Sequence, residues 1–194
     1  MIRTCGGENQ ILDSFESLLR RIVEGFNATG LDYMITGALA VSYYGRARTT
    51  VDVDVVVAVG SVDWRERLIS ALRMAGLVVE EKALDDALKS GYNVATFRDS
   101  KSPITVDIIL SREKLAKKRG KVLGLPTYFQ KPEDLVLAKL RMIRATVPRE
   151  RAQKDVDDVK AVLKFAKVDL EAIRREARKE GALQILENII AQQE

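Results

Sequence analysis

The chain has 194 residues, of which 46% are hydrophobic, and its 32 basic and 28 acidic side chains give a net charge of +4. This size predicts one globular domain with a small extension. The absence of histidine argues against Ser-His or Cys-His catalysis, and a single cysteine, Cys5, excludes an internal disulfide. No apolar run approaches the roughly 20 residues of a membrane span, and the start MIRTCGGENQ lacks an apolar export segment, so we expect a cytoplasmic protein without membrane contact.

Helical and strand patterns alternate through the first two thirds of the chain. Apolar residues at helical spacing predict helices, and short β-branched runs bounded by turn residues predict strands. The predicted elements are a helix over 11–27, a strand over 31–35, a helix over 39–44, a strand over 51–59, a helix up to Ala75, and strands over 77–80, 92–98 and 104–110. The strands over 92–98 and 104–110 are joined by turn residues and predict a hairpin, and residues 124–130 predict a strand or loop. This alternation predicts an α/β (α+β) fold, a mixed sheet with flanking helices.

The last third of the chain has no strand pattern. Lys131-Pro132-Glu133-Asp134 is typical of a helix start, with proline in the first turn and acids at the positive end of the helix dipole. Helices are predicted over 135–144, 151–166, 170–178 and 183–191. The sequence therefore predicts a first domain over 1–130 followed by a C-terminal helical subdomain over 131–194.

A basic run precedes that boundary. Ser111 begins a predicted short helix that carries five cations, namely Lys114, Lys117, Lys118, Arg119 and Lys121. Such a run suits contact with the backbone of RNA or of a nucleotide through counterion release. It also suits a solvated helix face, which is the more common reason for a run of charges.

Asp52 and Asp54 lie in a predicted strand whose neighbouring residues are valines. Successive side chains on a strand point to opposite faces, so the two carboxylates share a face, roughly 6 to 7 Å apart at about 3.3 Å per residue. Paired carboxylates repel each other and lose hydration when buried, which favours an open face or a bound cation. Because every candidate ligand is an oxygen, we expect a hard cation such as Mg²⁺, with room for two ions about 3.5 to 4 Å apart.

Two further features accompany the acid pair. Gly37 and Ala38 end one apolar run and begin a short helix, whose exposed N–H groups form an anion site suited to a phosphate. Asp107 interrupts a later β-branched run, where an unpaired acid is costly unless a charge lies opposite. A metal held by Asp52 and Asp54 would supply that charge, but the residues alone leave open whether Asp107 lies beside them.

Charged side chains elsewhere have two interpretations each. Arg46 and Arg48 precede the acid pair in a turn, where guanidinium groups suit bidentate phosphate contacts or pairing with the carboxylates when metal is absent. Lys139 lies on the apolar stripe of its helix and either contacts a phosphate or extends its ammonium from the border of the stripe. Asp155 and Asp158 share a helix face and either bind Lys139 or an arginine, or stabilise the N-terminal half of their helix.

The order of these features resembles the nucleotidyltransferase superfamily of the DNA polymerase beta type. The resemblance covers roughly 31–110: Gly37-Ala38, thirteen intervening residues that include Arg48-Thr49-Thr50, the Asp52-Val53-Asp54 pair, and later Asp107. Within that superfamily, YYGRARTTVDVDVVV is similar to small stand-alone prokaryotic enzymes, including the toxins of abortive-infection-type toxin–antitoxin pairs. The C-terminal segment EDLVLAKL, with the later KD..D pattern, is similar to the helical tail of those enzymes.

The resemblance implies a Mg-dependent nucleotidyltransferase that moves an NMP from an NTP to a hydroxyl of an RNA such as tRNA, of a protein or of a small molecule. Asp52, Asp54 and Asp107 would be the catalytic residues and the metal ligands, holding two Mg²⁺ ions, with Mn²⁺ as a substitute. Asp107 would also help to activate the attacking hydroxyl. The implied nucleotide-binding residues are Gly37 and Ala38, which would grip the triphosphate, together with Arg46, Arg48, Thr50, Lys139 and Asp155.

One residue departs from the superfamily pattern. Ala38 stands where glycine or serine is usual, so its backbone N–H remains but a hydroxyl contact to phosphate is lost. This departure favours an alternative, a catalytically weak binding subunit or antitoxin-like protein whose helical tail binds a partner. Metal-dependent phosphodiester hydrolysis is a third interpretation, but a hydrolase would not need the glycine-initiated helix.

Overall fold

The computed structural model describes residues 6–45, 47, 50 and 52–192, with the backbone alone for residues 6–13 and 149. The described helices are α1 (Gly6–Ala28), α2 (Gly37–Tyr44), α3 (Trp64–Met74), α4 (Lys82–Ser90), α5 (Pro132–Ala145), α6 (Gln153–Phe165), α7 (Leu170–Lys179) and α8 (Leu183–Ala191), with a 3₁₀ turn at Arg149–Ala152. The described strands are β1 (Tyr33–Ile35), β2 (Asp52–Ala58), β3 (Leu77–Val78), β4 (Val94–Asp99), β5 (Thr105–Ser111), β6 (Lys117–Val122) and β7 (Leu125–Gln130). None of the described helices combines the length and the apolarity that a membrane span requires.

The strands form one seven-stranded sheet in the order β3-β4-β5-β2-β1-β7-β6. β2 pairs in parallel with β5, and β1 in parallel with β7, whereas β1 with β2 and β3 with β4 are antiparallel. β4 and β5 are also antiparallel, which confirms the predicted hairpin. This mixed sheet with flanking helices confirms the predicted fold class.

The two faces of the sheet differ in burial. One face carries Val53 and Val55 of β2 with Val106 and Ile108 of β5, and all four side chains are fully buried. Because side chains alternate along a strand, their neighbours project from the opposite face. That opposite face, called the open face below, carries Asp52, Asp54, Val56 and Ala58 of β2 and Thr105, Asp107, Ile109 and Ser111 of β5.

The described residues form two compact units. The first comprises residues within 1–35 and 50–129, with most of the sheet, and the second comprises residues within 36–49 and 130–194. In the second unit α2 packs against α5 and α6. Thus α2, which the sequence assigned to a domain over 1–130, packs with the C-terminal helices, while the predicted domains over 1–130 and 131–194 stay a prediction.

Two elements differ from those predicted. Residues 117–122 form the edge strand β6 and not the predicted basic helix. Lysine-rich segments are common on edge strands, and pairing with β7 outweighs a weak local preference. The structure also has α4, which is absent from the predicted elements although Leu84 and Ala87 are buried at helical spacing and Gly91 ends the helix with φ of 74°.

Candidate active site

Two of the three predicted catalytic acids lie side by side on neighbouring strands of the first unit. The parallel pairing of β2 with β5 sets Asp52 opposite Thr105 and Asp54 opposite Asp107. Neighbouring strands are about 4.8 Å apart, and residues in register project from the same face. Asp54 and Asp107 are therefore adjacent on the open face, an arrangement that the residues alone left open.

A hydroxyl from β4 extends this row of side chains. Thr96 is the register partner of Asp107, and its Oγ1 donates a hydrogen bond of 2.6 Å to Asp107 Oδ1. This bond engages one oxygen of the carboxylate and restrains the orientation of the group. The sequence analysis missed Thr96, although the predicted hairpin that contains Asp107 was a signal that residues of the preceding strand would lie next to that acid.

Asp52 begins β2 and has a local partner in Thr50. The Thr50 hydroxyl donates to the Asp52 carbonyl oxygen at 3.2 Å and lies 3.4 Å from Asp52 Oδ1. These contacts define the start of the strand and the position of its first carboxylate. The predicted phosphate ligands Arg46 and Arg48 lie outside the described residues.

The donor chemistry of this row suits a hard divalent cation. Asp52, Asp54 and Asp107 are each half-buried on the open face, and every polar atom that they offer is an oxygen. Among the residues that the structure describes, no three His, Cys, Asp or Glu side chains lie close enough to hold a metal ion by themselves. This is compatible with Mg²⁺, which is usually held by one or two carboxylates and completed by water and substrate phosphate oxygens.

Gly37 and Ala38 open α2 in the second unit. Gly37 has φ of 60°, a left-handed conformation that favours glycine, and Ala38 is buried. The preceding residue, Thr36, does not cap the helix, because its hydroxyl donates to Gln130 Oε1 instead. The first turn of α2 contains no acid, so its backbone N–H groups retain the partial positive charge of a helix start.

Lys139 and Asp155, the remaining candidates, belong to one buried ion cluster in the second unit. Lys139 Nζ lies 2.8 Å from Asp155 Oδ1 and 2.9 Å from Asp158 Oδ2, so of the interpretations that the sequence left open, the structure has the ion pair with Lys139. Burial lowers the pKa of Lys139, but hydrogen bonds from its ammonium to the two carboxylates outweigh that effect, so the pKa is raised. One cation with two carboxylates has a net charge of −1, which favours a structural role joining α5 to α6 over phosphate binding.

Three solved structures have a similar fold. The solution structure of the antibiotic-resistance factor ANT(2″)-Ia is 16% identical, with a TM-score of 0.66 over 91% of this chain and 97% of that one. The crystal structure of ANT(2″)-Ia with adenylyl-2″-tobramycin is also 16% identical, with a TM-score of 0.64 over 86% and 98%. An antigenic nucleotidyltransferase-like protein from Paracoccidioides brasiliensis is 16% identical, with a TM-score of 0.54 over 90% and 93%. No protein-family model and no curated protein sequence matches the chain.

Proposed function

We propose that this chain, which has the nucleotidyltransferase superfamily fold, transfers a nucleoside monophosphate from an NTP to an acceptor hydroxyl. The predicted superfamily resemblance is confirmed at the level of the fold by the three structural neighbours. The observation that carries the proposed activity is the in-register pairing of Asp54 with Asp107 on the open face. Carboxylates are costly to bring together, so their adjacency favours a site that binds a cation and a triphosphate.

The proposed reaction is a single displacement at phosphorus. The acceptor oxygen forms a bond to the α-phosphorus of the NTP, while the bond from that phosphorus to the oxygen that bridges to the β-phosphate breaks, and pyrophosphate leaves. Asp107 accepts the hydroxyl proton at Oδ2, since its Oδ1 accepts the hydrogen bond from Thr96. A divalent cation held by Asp52 and Asp54 would offset the charge of the triphosphate and lower the pKa of the attacking hydroxyl.

The triphosphate is assigned to backbone donors. In this proposal the N–H groups of Gly37 and Ala38 bind phosphate oxygens, because Thr36 does not cap them and the first turn of α2 has no acid. Arg46, Arg48 and Thr50 are proposed as further nucleotide contacts. Lys139 and Asp155 stay predicted nucleotide-binding residues. Their contacts in the buried ion cluster give them a structural role as well, because the cluster joins α5 to α6.

Label transfer tests the proposed activity. The protein is incubated with Mg²⁺ and each NTP labelled at the α-phosphate, in separate reactions that contain total RNA, added protein or tobramycin, the last because one structural neighbour holds adenylylated tobramycin. We expect α-label in one class of acceptor, and a parallel reaction with γ-labelled NTP should leave the acceptor unlabelled because the γ-phosphate leaves with pyrophosphate. Asp54→Asn should abolish transfer, and Asp86→Asn, an exposed acid outside the row, should preserve it. Shortened RNA would indicate a hydrolase, and equal behaviour of the two variants would refute the assignment of the acids.

A binding role without chemistry is the second candidate. It is favoured by Ala38, which lacks the hydroxyl that serine would offer to a phosphate at this position, whereas the three acids disfavour it. Calorimetric binding of a non-hydrolysable NTP, with no label transfer to any acceptor, would support it.

A role as a toxin in a toxin–antitoxin pair is a finer proposal on the same activity. We expect induced expression to arrest bacterial growth, and Asp54→Asn to relieve the arrest at equal protein level. Arrest that persists with Asp54→Asn would separate toxicity from nucleotide transfer.

A further inference from the structure

The segment 112–121 concentrates the positive charge of this protein. It carries six cations and one acid, Glu113, so its net charge of +5 exceeds the +4 of the whole chain and leaves −1 for all other residues. We call it the basic ribbon, and its cations are Arg112, Lys114, Lys117, Lys118, Arg119 and Lys121. It comprises the connection from β5 to β6 and most of edge strand β6.

The connection crosses the open face of the sheet. Leu115 is buried in an apolar cluster with Met34 of β1 and Val56 of β2, and Ile109 and Tyr128 pack against that cluster. Val56 and Ile109 project from the same face as the acid row because they are two residues further along β2 and β5. The ribbon therefore begins on the face that carries Asp54 and Asp107.

Edge strand β6 directs some of its side chains to that face. Lys117 lies over the Tyr128 ring at 4.0 Å and forms an ion pair with Asp32, so its side chain projects on the side of the apolar cluster. Alternation along the strand sets Arg119 and Lys121 on the same side as Lys117, and both are exposed. Lys117, Arg119 and Lys121 thus share the open face with the acids, whereas the same alternation sets Lys118 on the opposite side.

Most of these cations lack an acidic partner. In the part of the chain that the structure describes, four of them form no ion pair, namely Arg112, Lys114, Arg119 and Lys121. Glu113 is the only acid within the ribbon, and Asp32 is already paired with Lys117. Several surface cations elsewhere pair with acids, as in Arg65 with Asp85 and Arg73 with Glu81. Other described surface lysines have no ion pair either, but they are dispersed along the chain, whereas the ribbon has six cations within ten residues. Unmatched like charges in a row repel one another, so they favour a polyanionic partner.

The distance from the ribbon to the acids suits an extended strand. Ser111 lies opposite Ala58 at the end of the β2–β5 pairing, and Arg112 follows it. Asp107 and Ser111 are four residues apart on β5, which is roughly 13 Å at about 3.3 Å per residue. About four nucleotides of a helical nucleic-acid strand cover the same distance at ~3.4 Å each. A continuous polyanion fits this linear arrangement better than the scattered acids of a protein surface.

We propose that the basic ribbon binds the phosphate backbone of an RNA that is the acceptor substrate. The inference rests on the proposed function and specifies its acceptor class. RNA is chosen because the reaction consumes a hydroxyl, and RNA carries a 2′-hydroxyl on every nucleotide in addition to its 3′ end. The ribbon positions the strand along the open face, and a hydroxyl a few nucleotides away reaches the acid row.

The test is fluorescence anisotropy with a labelled, unstructured 20-nucleotide RNA between 50 and 200 mM salt, without NTP or divalent cation. The ribbon variant combines Lys114→Glu, Arg119→Glu and Lys121→Glu. The control variant makes the same charge reversal, lysine to glutamate, at three dispersed and exposed positions, Lys82, Lys101 and Lys167. We expect the ribbon variant to bind about tenfold or more weakly and to reduce the slope of log affinity against log salt by about 2, at ~0.7 per phosphate contact. The control should bind RNA as the unmodified chain does.

Several results would overturn the proposal: equal RNA binding by the ribbon variant, an equal loss in the control, tighter binding of DNA of the same sequence, or displacement of RNA by poly-L-glutamate of equal charge. If the ribbon variant binds RNA as the unmodified chain does, the role left for the cations is to prevent edge strand β6 from pairing with another chain. Glutamate at the same positions would prevent such pairing equally well. If the reversed variant fails to fold in a thermal melt, the corresponding glutamine variant replaces it. Because no NTP is present, a failure of the unmodified chain to bind RNA counts against the proposed role of the ribbon alone. RNA binding by the unmodified chain without any label transfer counts against the transferase activity.

Discussion

The buried ion cluster around Lys139 allows a structural role to be separated from a catalytic one. In Lys139→Met the aliphatic part of the side chain is largely preserved, but Asp155 and Asp158 lose their shared cation. The Lys139 and Asp158 side chains are only 9% and 4% exposed, so solvent screens the remaining carboxylates weakly. Removing one partner of a buried ion pair costs about 3 to 5 kcal/mol, and we expect the free energy of unfolding to fall by that amount.

Urea denaturation followed by circular dichroism measures this loss, and the melting temperature should fall by about 6 to 20 °C. The matched variant is the triple change Lys139→Met, Asp155→Asn, Asp158→Asn, which removes the whole cluster and should recover most of the stability because no charge is left unpaired. Wild-type stability of Lys139→Met would refute the view that the cluster is a buried, mutually dependent unit.

The same variants discriminate between the two interpretations of Lys139. If the cluster only joins α5 to α6, the triple variant should regain both stability and label transfer. If Lys139 contacts a phosphate, the triple variant should be stable but inactive, with a raised KM for the NTP. A stable and fully active triple variant would remove Lys139 and Asp155 from the nucleotide-binding residues.

Four other outcomes are expected. Asp52→Ala should abolish label transfer and change the free energy of unfolding by less than about 1 kcal/mol, because the side chain is half-exposed; a large loss of stability would show that this acid serves the fold. Thr96→Val should lower kcat and leave KM for the NTP unchanged, since Thr96 restrains Asp107 and is not proposed to bind the nucleotide; an unchanged kcat would contradict this. Gly37→Ala should destabilise the chain by about 1 to 2 kcal/mol in thermal melts because φ is positive, and an unaltered melt would exclude such strain. The pKa of Lys139 is raised above 10.5 in the folded state, so its contribution to the free energy of unfolding is fully present below pH 10.5 and is lost as the pH rises through the folded-state pKa. The free energy of unfolding of Lys139→Met, measured as a function of pH, should lack this loss at alkaline pH.

Local patterns predicted most of the elements because they are repeated along the chain. The helices at 153–165, 170–179 and 183–191 agree with the predicted ones within two residues, since their apolar spacing is regular and their ends carry recognisable turn residues. The basic run was different, because lysine, arginine and glycine have no decisive preference and carry no apolar period. Its conformation as β6 depends on pairing with β7, a contact that local reasoning does not include.

The same difference applies to the candidate site. Alternation along one strand was enough to predict that Asp52 and Asp54 share a face, and the β-branched run around Asp107 marked that acid as unusual. Thr96 had no such mark, because a threonine in a strand is ordinary. Its contact with Asp107 follows from the register of β4 against β5, which the residues do not specify by themselves.

By itself, then, the sequence determined the types of most elements, the shared face of the first two acids and the superfamily resemblance, because each depends on neighbours within a few residues. Only the tertiary structure decided that Asp107 lies beside Asp54, that α2 packs with α5 and α6, and that Leu115 of the basic ribbon lies against the open face. These arrangements depend on pairing and packing between segments distant in the chain. Many alternative pairings satisfy the same local preferences, and the burial of the whole apolar core selects among them.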